Sequence, residues 1–153
     1  MTPPDSADAI RTEVWDGPER ILVGVDGSDT SWRALAHAIG LARRHRSALL
    51  VGAVRPRPLP ASVGQEVGAW IDDEDRFVDE LRRALGAAAD ELGIRWHLHD
   101  VEGNPYAVLV ELAATHRVDA IVVGASMQLG HRFVGSIAAR LVRSAQWPVT
   151  VVP

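Results

Sequence analysis

Continuous apolar runs of strand length alternate along the chain with stretches whose apolar residues recur at helical spacing. The runs are ILVGV at 21–25, ALLVGAV at 48–54 and AIVV at 120–123, while WHLHDV at 96–101 alternates and PVTVVP at 148–153 comes last. Between them, apolar residues recur about every 3.6 positions, which is typical of helices that bury one face. The predicted element order is β-α-β-α-β-α-β-α-β.

This alternation predicts a single-domain α/β fold, an open, doubly wound, five-stranded parallel sheet with helices on both faces. The alternating third run is typical of an edge strand, which favours the strand order 3-2-1-4-5. In that order the winding reverses between strands 1 and 4. Open parallel sheets bind ligands at such a point, beyond the carboxyl ends of the strands. The Rossmann-like sheet therefore predicts a site near Asp26 and Gly124.

Three segments outside these elements are also informative. Residues 1–18 are polar and contain Pro3, Pro4 and Pro18, so we expect a disordered N-terminal arm before a domain at 19–153. Alternate prolines in RPRPLP exclude helix and ladder pairing after the second strand, and we expect that loop to extend to about Trp70. The residues that follow the fourth strand predict a polar loop.

Composition excludes several function classes. The 153 residues suit one domain, and no window is apolar enough for a membrane helix. The net charge of −4 argues against nonspecific electrostatic binding of nucleic acid. Cysteine is absent and all 16 basic residues are arginine, which excludes disulfides, thiolate sites, Walker-type phosphate loops and Schiff-base chemistry. The N-terminus carries no secretory signal pattern, so we expect a cytoplasmic protein.

Two motifs at the predicted site carry candidate chemistry. Gly135 and Ser136 precede the last helix, whose first N–H groups would favour an anion, although the same pair is also an ordinary helix start. Asp26 could accept hydrogen bonds from ribose hydroxyls or a base amine, or could cap the DGSDT turn. Ala53 and Val54 could face a flat base or only pack in the core.

Two further patterns resemble catalytic or metal sites. GASMQ at 124–128 nearly matches a nucleophile elbow but lacks the second glycine, and His131 lies too close in sequence to complete a triad. His97 and His99 share one face of a strand while Asp100 faces away, but no third metal ligand is indicated. We therefore predict no catalytic residue and no metal site.

From about Arg20 to Pro153 the chain resembles the universal stress protein family. The resemblance is carried by ILVGVDGS at 21–28, VEGNP at 101–105, VVG at 122–124, GSI at 135–137 and PVTVV at 148–152. It implies the doubly wound fold inferred above. It also implies a homodimer formed through the last strand, at Val149–Val152.

The resemblance includes a phosphate loop that departs from the family pattern. ATP-binding members carry Gly-x-x-Gly, nine residues, and then Gly-Ser or Gly-Thr. Gly124 and the pair Gly135-Ser136 match, but Met127 replaces the second glycine and only the seven residues 128–134 follow it. Gly24 also stands where many members have proline. A side chain at a position of close phosphate approach should weaken ATP binding.

The sequence thus predicts a dimeric stress-response module that binds or regulates rather than turns over a substrate. ATP or another adenine nucleotide is its candidate ligand, and we expect no nucleic-acid or membrane partner. The alternatives are an ATP-binding protein with weak hydrolysis or phosphotransfer activity, and a protein-interaction module that binds no nucleotide. The candidate nucleotide-site residues are Gly24, Asp26, Ala53, Val123, Gly124, Ser126, Met127, Gly135, Ser136 and Ile137.

Overall fold

The computed structural model describes residues 18–55, 67–128 and 131–153. Within these ranges the strands are β1 (Arg20–Val25), β2 (Ala48–Arg55), β3 (Arg95–Glu102), β4 (Ala120–Gly124), β5 (Ser126–Gln128), β6 (His131–Phe133) and β7 (Val149–Val152). The helices are α1 (Asp29–His45), α2 (Val67–Leu92), α3 (Pro105–Thr115) and α4 (Ser136–Ser144).

Five of the strands form one parallel sheet in the order β3-β2-β1-β4-β7. The predicted order 3-2-1-4-5 is therefore confirmed, and the alternating third strand lies at an edge. β1 lies between β2 and β4, so the winding reverses at the predicted place. No helix within the described ranges combines the length and apolar character that a membrane crossing requires.

The segment after β4 differs from the predicted polar loop, because β5 and β6 pair as an antiparallel hairpin. Ser126 lies opposite Phe133, and Met127 lies opposite Arg132. Only residues 129 and 130 separate the two strands, and two-residue connections are the commonest in hairpins. Strands of three residues are too short to show a periodicity, which explains why the sequence pattern missed them.

Two other boundary predictions have different outcomes. α2 begins at Val67, so the prediction of a loop extending to about Trp70 was wrong. No proline follows Pro60 in this part of the sequence, so nothing prevents the helix from starting early. The predicted disordered arm at 1–18 lies outside the described residues apart from Pro18.

Alternate residues of the central strands point to opposite faces of the sheet and pack into two separate hydrophobic cores. Ile21, Val23 and Val25 of β1 pack with buried residues of α1 and α2 on one face of the sheet. Leu22 points to the other face and packs with buried residues of α3 and α4, including Leu109. Both faces of the central strands are covered, which is why these strands read as continuous apolar runs.

Glycines let the helices approach the sheet closely on both faces. Gly24 and Gly52 are register partners on β1 and β2. A Cβ on either would lie 3.1–3.3 Å from the side chain of Leu109, so α3 packs directly over this pair. Gly124 is tighter, since a Cβ there would lie 2.6 Å from the carbonyl carbon of Thr30 in the first turn of α1.

Gly124→Ala should destabilise the protein by about 1–3 kcal/mol, because the added Cβ meets backbone that cannot move independently. Gly86→Ala is the matched control. Gly86 lies in α2, and a methyl group added there would meet no atom within 4 Å, so this change should stabilise by up to about 1 kcal/mol. Urea unfolding followed by circular dichroism measures both. Equal stability of Gly124→Ala and the wild type would contradict the close packing.

Candidate functional site

A cavity of about 720 Å³ lies beyond the carboxyl ends of β1 and β4. Its walls come from the turn after β1, the first residues of α1, the end of β4 with the start of β5, and the first turn of α4. Val54, Pro105 and Leu109 add an apolar side. The cavity therefore lies where the reversal of winding predicted a site.

The turn after β1 is held by the carboxylate of Asp26. Oδ1 accepts hydrogen bonds from the backbone N–H and the hydroxyl of Ser28, at 2.9 and 2.6 Å. The Ser28 side chain in turn accepts from the N–H of Ser31 and is the N-cap of α1. Gly27, with φ of +87°, supplies the left-handed residue that the turn needs.

These contacts lower the pKa of Asp26 and favour its charged form. Burial alone would raise its pKa, but hydrogen bonds from Ser28, with a smaller contribution from Ser31, lower the pKa below its ordinary value. Both hydrogen bonds from Ser28 reach Oδ1, and the residue is exposed at the cavity. Asp26 therefore shapes the turn and still presents one carboxylate oxygen to a ligand.

The amino terminus of α4 differs from those of α1 and α3. Ser28 caps α1, and the side chain of Asn104 caps α3 by accepting from Ala107 at 3.1 Å. At α4 the N-cap is Gly135, which makes no side-chain capping hydrogen bond. The first N–H groups of α4 are thus left without a side-chain acceptor where the helix meets the cavity.

The position of Ser126 also requires a glycine at residue 135. A Cβ at this position would collide with Oγ of Ser126, which reaches across from the start of β5. The hydroxyl of Ser126, the exposed Ser136 and the first N–H groups of α4 consequently lie at one end of the cavity. All are hydrogen-bond donors, which is the chemistry that an anionic oxygen needs.

Eight of the predicted site residues line this one cavity: Gly24, Asp26, Val123, Gly124, Ser126, Gly135, Ser136 and Ile137. Ala53 does not, because it is fully buried in the core that faces α1 and α2. Its neighbour Val54 lies on the opposite face of the sheet and lines the cavity instead. The backbone of Met127 lies in β5, but its side chain is outside the described part of the structure.

The sequence patterns missed several residues of the cavity. Thr30 and Ser31 line it from the first turn of α1, and both are buried polar residues. The run DGSDTS suggested helix caps but not that these caps face a cavity. Pro105 and Leu109 come from α3, and no local signal connects that helix with the ends of β1 and β4.

The two histidines of β3 belong to a cluster of three. The ring centroids of His97 and His99 are 4.6 Å apart, and those of His99 and His116, at the end of α3, are 4.5 Å apart. Nε2 of His99 is buried and has no hydrogen-bond partner among the described residues. Burial and the charges of His116 and His97 lower the pKa of His99. The described residues contain no group of three such side chains arranged to hold a metal ion.

The chain belongs to the universal stress protein family. The family model matches residues 18–153. A universal stress protein of Methanocaldococcus jannaschii is 33% identical over 143 residues, which cover 88% of this chain and 81% of the relative. The solved structure of a Lactobacillus plantarum universal stress protein superposes with a TM-score of 0.71 at 26% identity, covering 88% of this chain and 97% of that one.

More distant structures with the same fold contain adenine nucleotides. A universal stress protein in complex with cAMP is 24% identical, has a TM-score of 0.66, and covers 89% of this chain and 97% of its own. Structures from Arabidopsis thaliana with AMP and from Archaeoglobus fulgidus with dAMP have TM-scores of 0.62 and 0.60 at 19% and 22% identity. They cover 88% of this chain and 91% and 97% of their own. At these identities the likeness establishes the fold.

Acidification should destabilise the protein through His99. Its folded-state pKa is lowered, so the unfolded chain takes up a proton first as the pH falls below the ordinary value of 6.5. The free energy of unfolding should therefore fall through this window and level off below the folded-state pKa. Urea midpoints at about pH 7.5 and about pH 5.5 measure the drop.

His99→Gln should make this drop smaller. His37→Gln, which replaces an exposed histidine of α1, is the control and should retain the full drop. Equal drops in the two variants would show that the cluster around His99 does not contribute.

Proposed function

We propose that this universal stress protein binds an adenine nucleotide in the cavity between β1, β4 and α4, and acts as a binding or regulatory module in the stress response. The observation that carries the proposal is the uncapped amino terminus of α4, which meets the same cavity as the carboxylate of Asp26. The nucleotides in structures of the same fold support the choice of ligand class.

The polar groups divide the cavity between the parts of a nucleotide. The phosphate lies against the first N–H groups of α4, with hydroxyl donors from Ser126 and Ser136. Asp26 accepts a hydrogen bond from a ribose hydroxyl or from the base amine. The base lies against the apolar side, which is lined by Val54 but not by Ala53.

No basic side chain is among the described residues that line this cavity. The phosphate is therefore bound by backbone dipoles and hydroxyls, which are individually modest contributors. The departures at Met127 and in the shortened segment 128–134 add to the reasons for expecting weak ATP binding. AMP and cyclic AMP, which carry a single phosphate, are the first ligands to test.

The electrostatics of Asp26 favour binding over turnover. A general base works best with a pKa near the working pH. Hydrogen bonding instead holds the pKa of Asp26 below its ordinary value, and the carboxylate is already engaged in the turn. This supports a binding module over the alternative of weak ATP hydrolysis.

Calorimetric titration with AMP, cyclic AMP, ATP and adenosine tests the proposal. Ser136→Ala should weaken AMP binding roughly fivefold, which corresponds to one lost hydrogen bond of about 1 kcal/mol. It should leave adenosine, which lacks the phosphate, unchanged. The control is Ser144→Ala at the other end of α4, where the hydroxyl donates to the carbonyl of Leu141.

Two outcomes would count against the proposed site. Absence of binding by all four compounds would remove the nucleotide function. An equal loss of AMP and adenosine affinity in Ser136→Ala would show that the serine does not act on the phosphate.

We also propose that the protein forms a homodimer through β7, as the family resemblance implies. β7 is the last strand of the sheet and pairs on one side with β4. All four of its residues are only partly buried within a single chain. An unpaired strand edge of this kind is a template for a second copy of the same strand. A cytoplasmic location stays a prediction of the sequence.

Val151→Pro should convert the dimer to a monomer. The carbonyls of Pro148 and Val152 accept from β4 and its following residue, so alternation along the strand points the N–H of Val151 to the outer edge. Proline removes that donor without removing a bond to β4. Sedimentation measures the assembly against the 16.5 kDa chain mass, and circular dichroism checks the fold.

Val134→Ser is the control for the dimer test, because it replaces an exposed valine outside β7. It should leave the dimer intact. A wild type that sediments as a monomer at all concentrations would disprove the dimer.

A further inference from the structure

A second cavity, of about 490 Å³, lies at the opposite end of the sheet from the nucleotide cavity. It is formed where α1 and α2 end and where β2 and β3 begin. It is lined by the buried residues Ala42 and Ile94 and by the exposed residues Arg43, Arg46 and Arg95. We call this cavity the arginine cleft.

The three arginines of the cleft are unpaired within the described part of the chain. Across residues 18–55, 67–128 and 131–153, none of their guanidinium groups takes part in a hydrogen bond or an ion pair. Asp90 and Glu91 lie in the last turn of α2 but are exposed and make no ion pair with them. All three lie close to the carboxyl ends of α1 and α2, whose partial negative charge favours nearby cations.

Hydrogen bonds from the guanidinium groups to the helix carbonyls are not part of that attraction. The carbonyl of Ala42 near the end of α1 accepts from the backbone N–H groups of Arg46 and Ser47. The carbonyl of Ala89 near the end of α2 accepts from the N–H of Gly93. Backbone groups therefore satisfy these carbonyls, and the guanidinium groups keep their donors available to a ligand.

We propose that the arginine cleft binds a small anion that carries two or more linked phosphate groups. Guanidinium groups present planar pairs of N–H donors that match phosphate oxygens, and they are always charged. Three of them balance the charge of a pyrophosphate-type anion. The volume of the cleft lies within the range of small-molecule sites.

The chain itself offers a competing anion. The hydroxyl of Ser47, a lining residue of the cleft, donates to the carbonyl of Pro18, so residues 1–17 join the domain at the rim of the cleft. That segment contains four acidic residues and one arginine. Because this segment is covalently joined to Pro18, the test includes a chain that lacks it.

Calorimetric titration of pyrophosphate into the full chain tests the proposal. Arg95→Gln should weaken binding at least tenfold, because one charge-assisted contact is lost. Arg82→Gln, which removes an exposed arginine of α2 outside the cleft, should change the affinity little. Ser136→Ala should leave pyrophosphate binding unchanged, which separates the cleft from the nucleotide cavity.

Four results would overturn the proposal. The first is no binding of pyrophosphate to the full chain, and the second is an equal loss of pyrophosphate affinity in Arg82→Gln and Arg95→Gln. The third is a loss of pyrophosphate affinity in Ser136→Ala without one in Arg95→Gln. The last is binding that occurs only after residues 1–17 are deleted. The second would indicate nonspecific charge attraction, and the third would place the anion in the nucleotide cavity. The last would show that the chain's own acidic segment occupies the cleft.

Discussion

The contact between Gly124 and the first turn of α1 is the constraint on which the cavity beyond β1 and β4 depends. With no Cβ at the end of β4, the backbone of Thr30 comes closer than any side chain would allow. This contact places the start of α1 against the end of β4, at the reversal of winding between β1 and β4. The turn of Asp26 and the amino terminus of α4 then meet across one cavity. A glycine that resembles a phosphate-loop residue is thus required for packing as well.

The two ends of the sheet provide positive potential in different ways. At the carboxyl ends of the strands, the cavity has no basic lining residue among those described, and the free N–H groups of α4 provide the partial charge. At the amino ends, helices finish rather than begin, and their carboxyl ends carry a partial negative charge. Three arginine side chains supply the positive potential there instead. Positive charge therefore comes from backbone N–H groups at one end of the sheet and from arginine side chains at the other.

Much of the fold could be predicted because the burial of a strand on one or both faces determines its pattern of apolar residues. The buried central strands β1, β2 and β4 read as continuous apolar runs, and the exposed edge strand β3 alternates. The strand order followed from these differences. The hairpin of β5 and β6 and the start of α2 could not be predicted in this way. The strands of the hairpin are too short to show a periodicity, and no proline between Pro60 and Trp70 marks where the loop ends and α2 begins.

The sequence by itself determined the class of fold, the family, and most of the polar residues at the cavity beyond β1 and β4, since these depend on chain order and local turn chemistry. Only the tertiary structure decided which of Ala53 and Val54 faces the cavity, because one step along a pleated strand reverses the face. It also brought His116 to His99 and three arginines around one cleft. Such groupings join residues far apart in the chain, and no local pattern records distances through space.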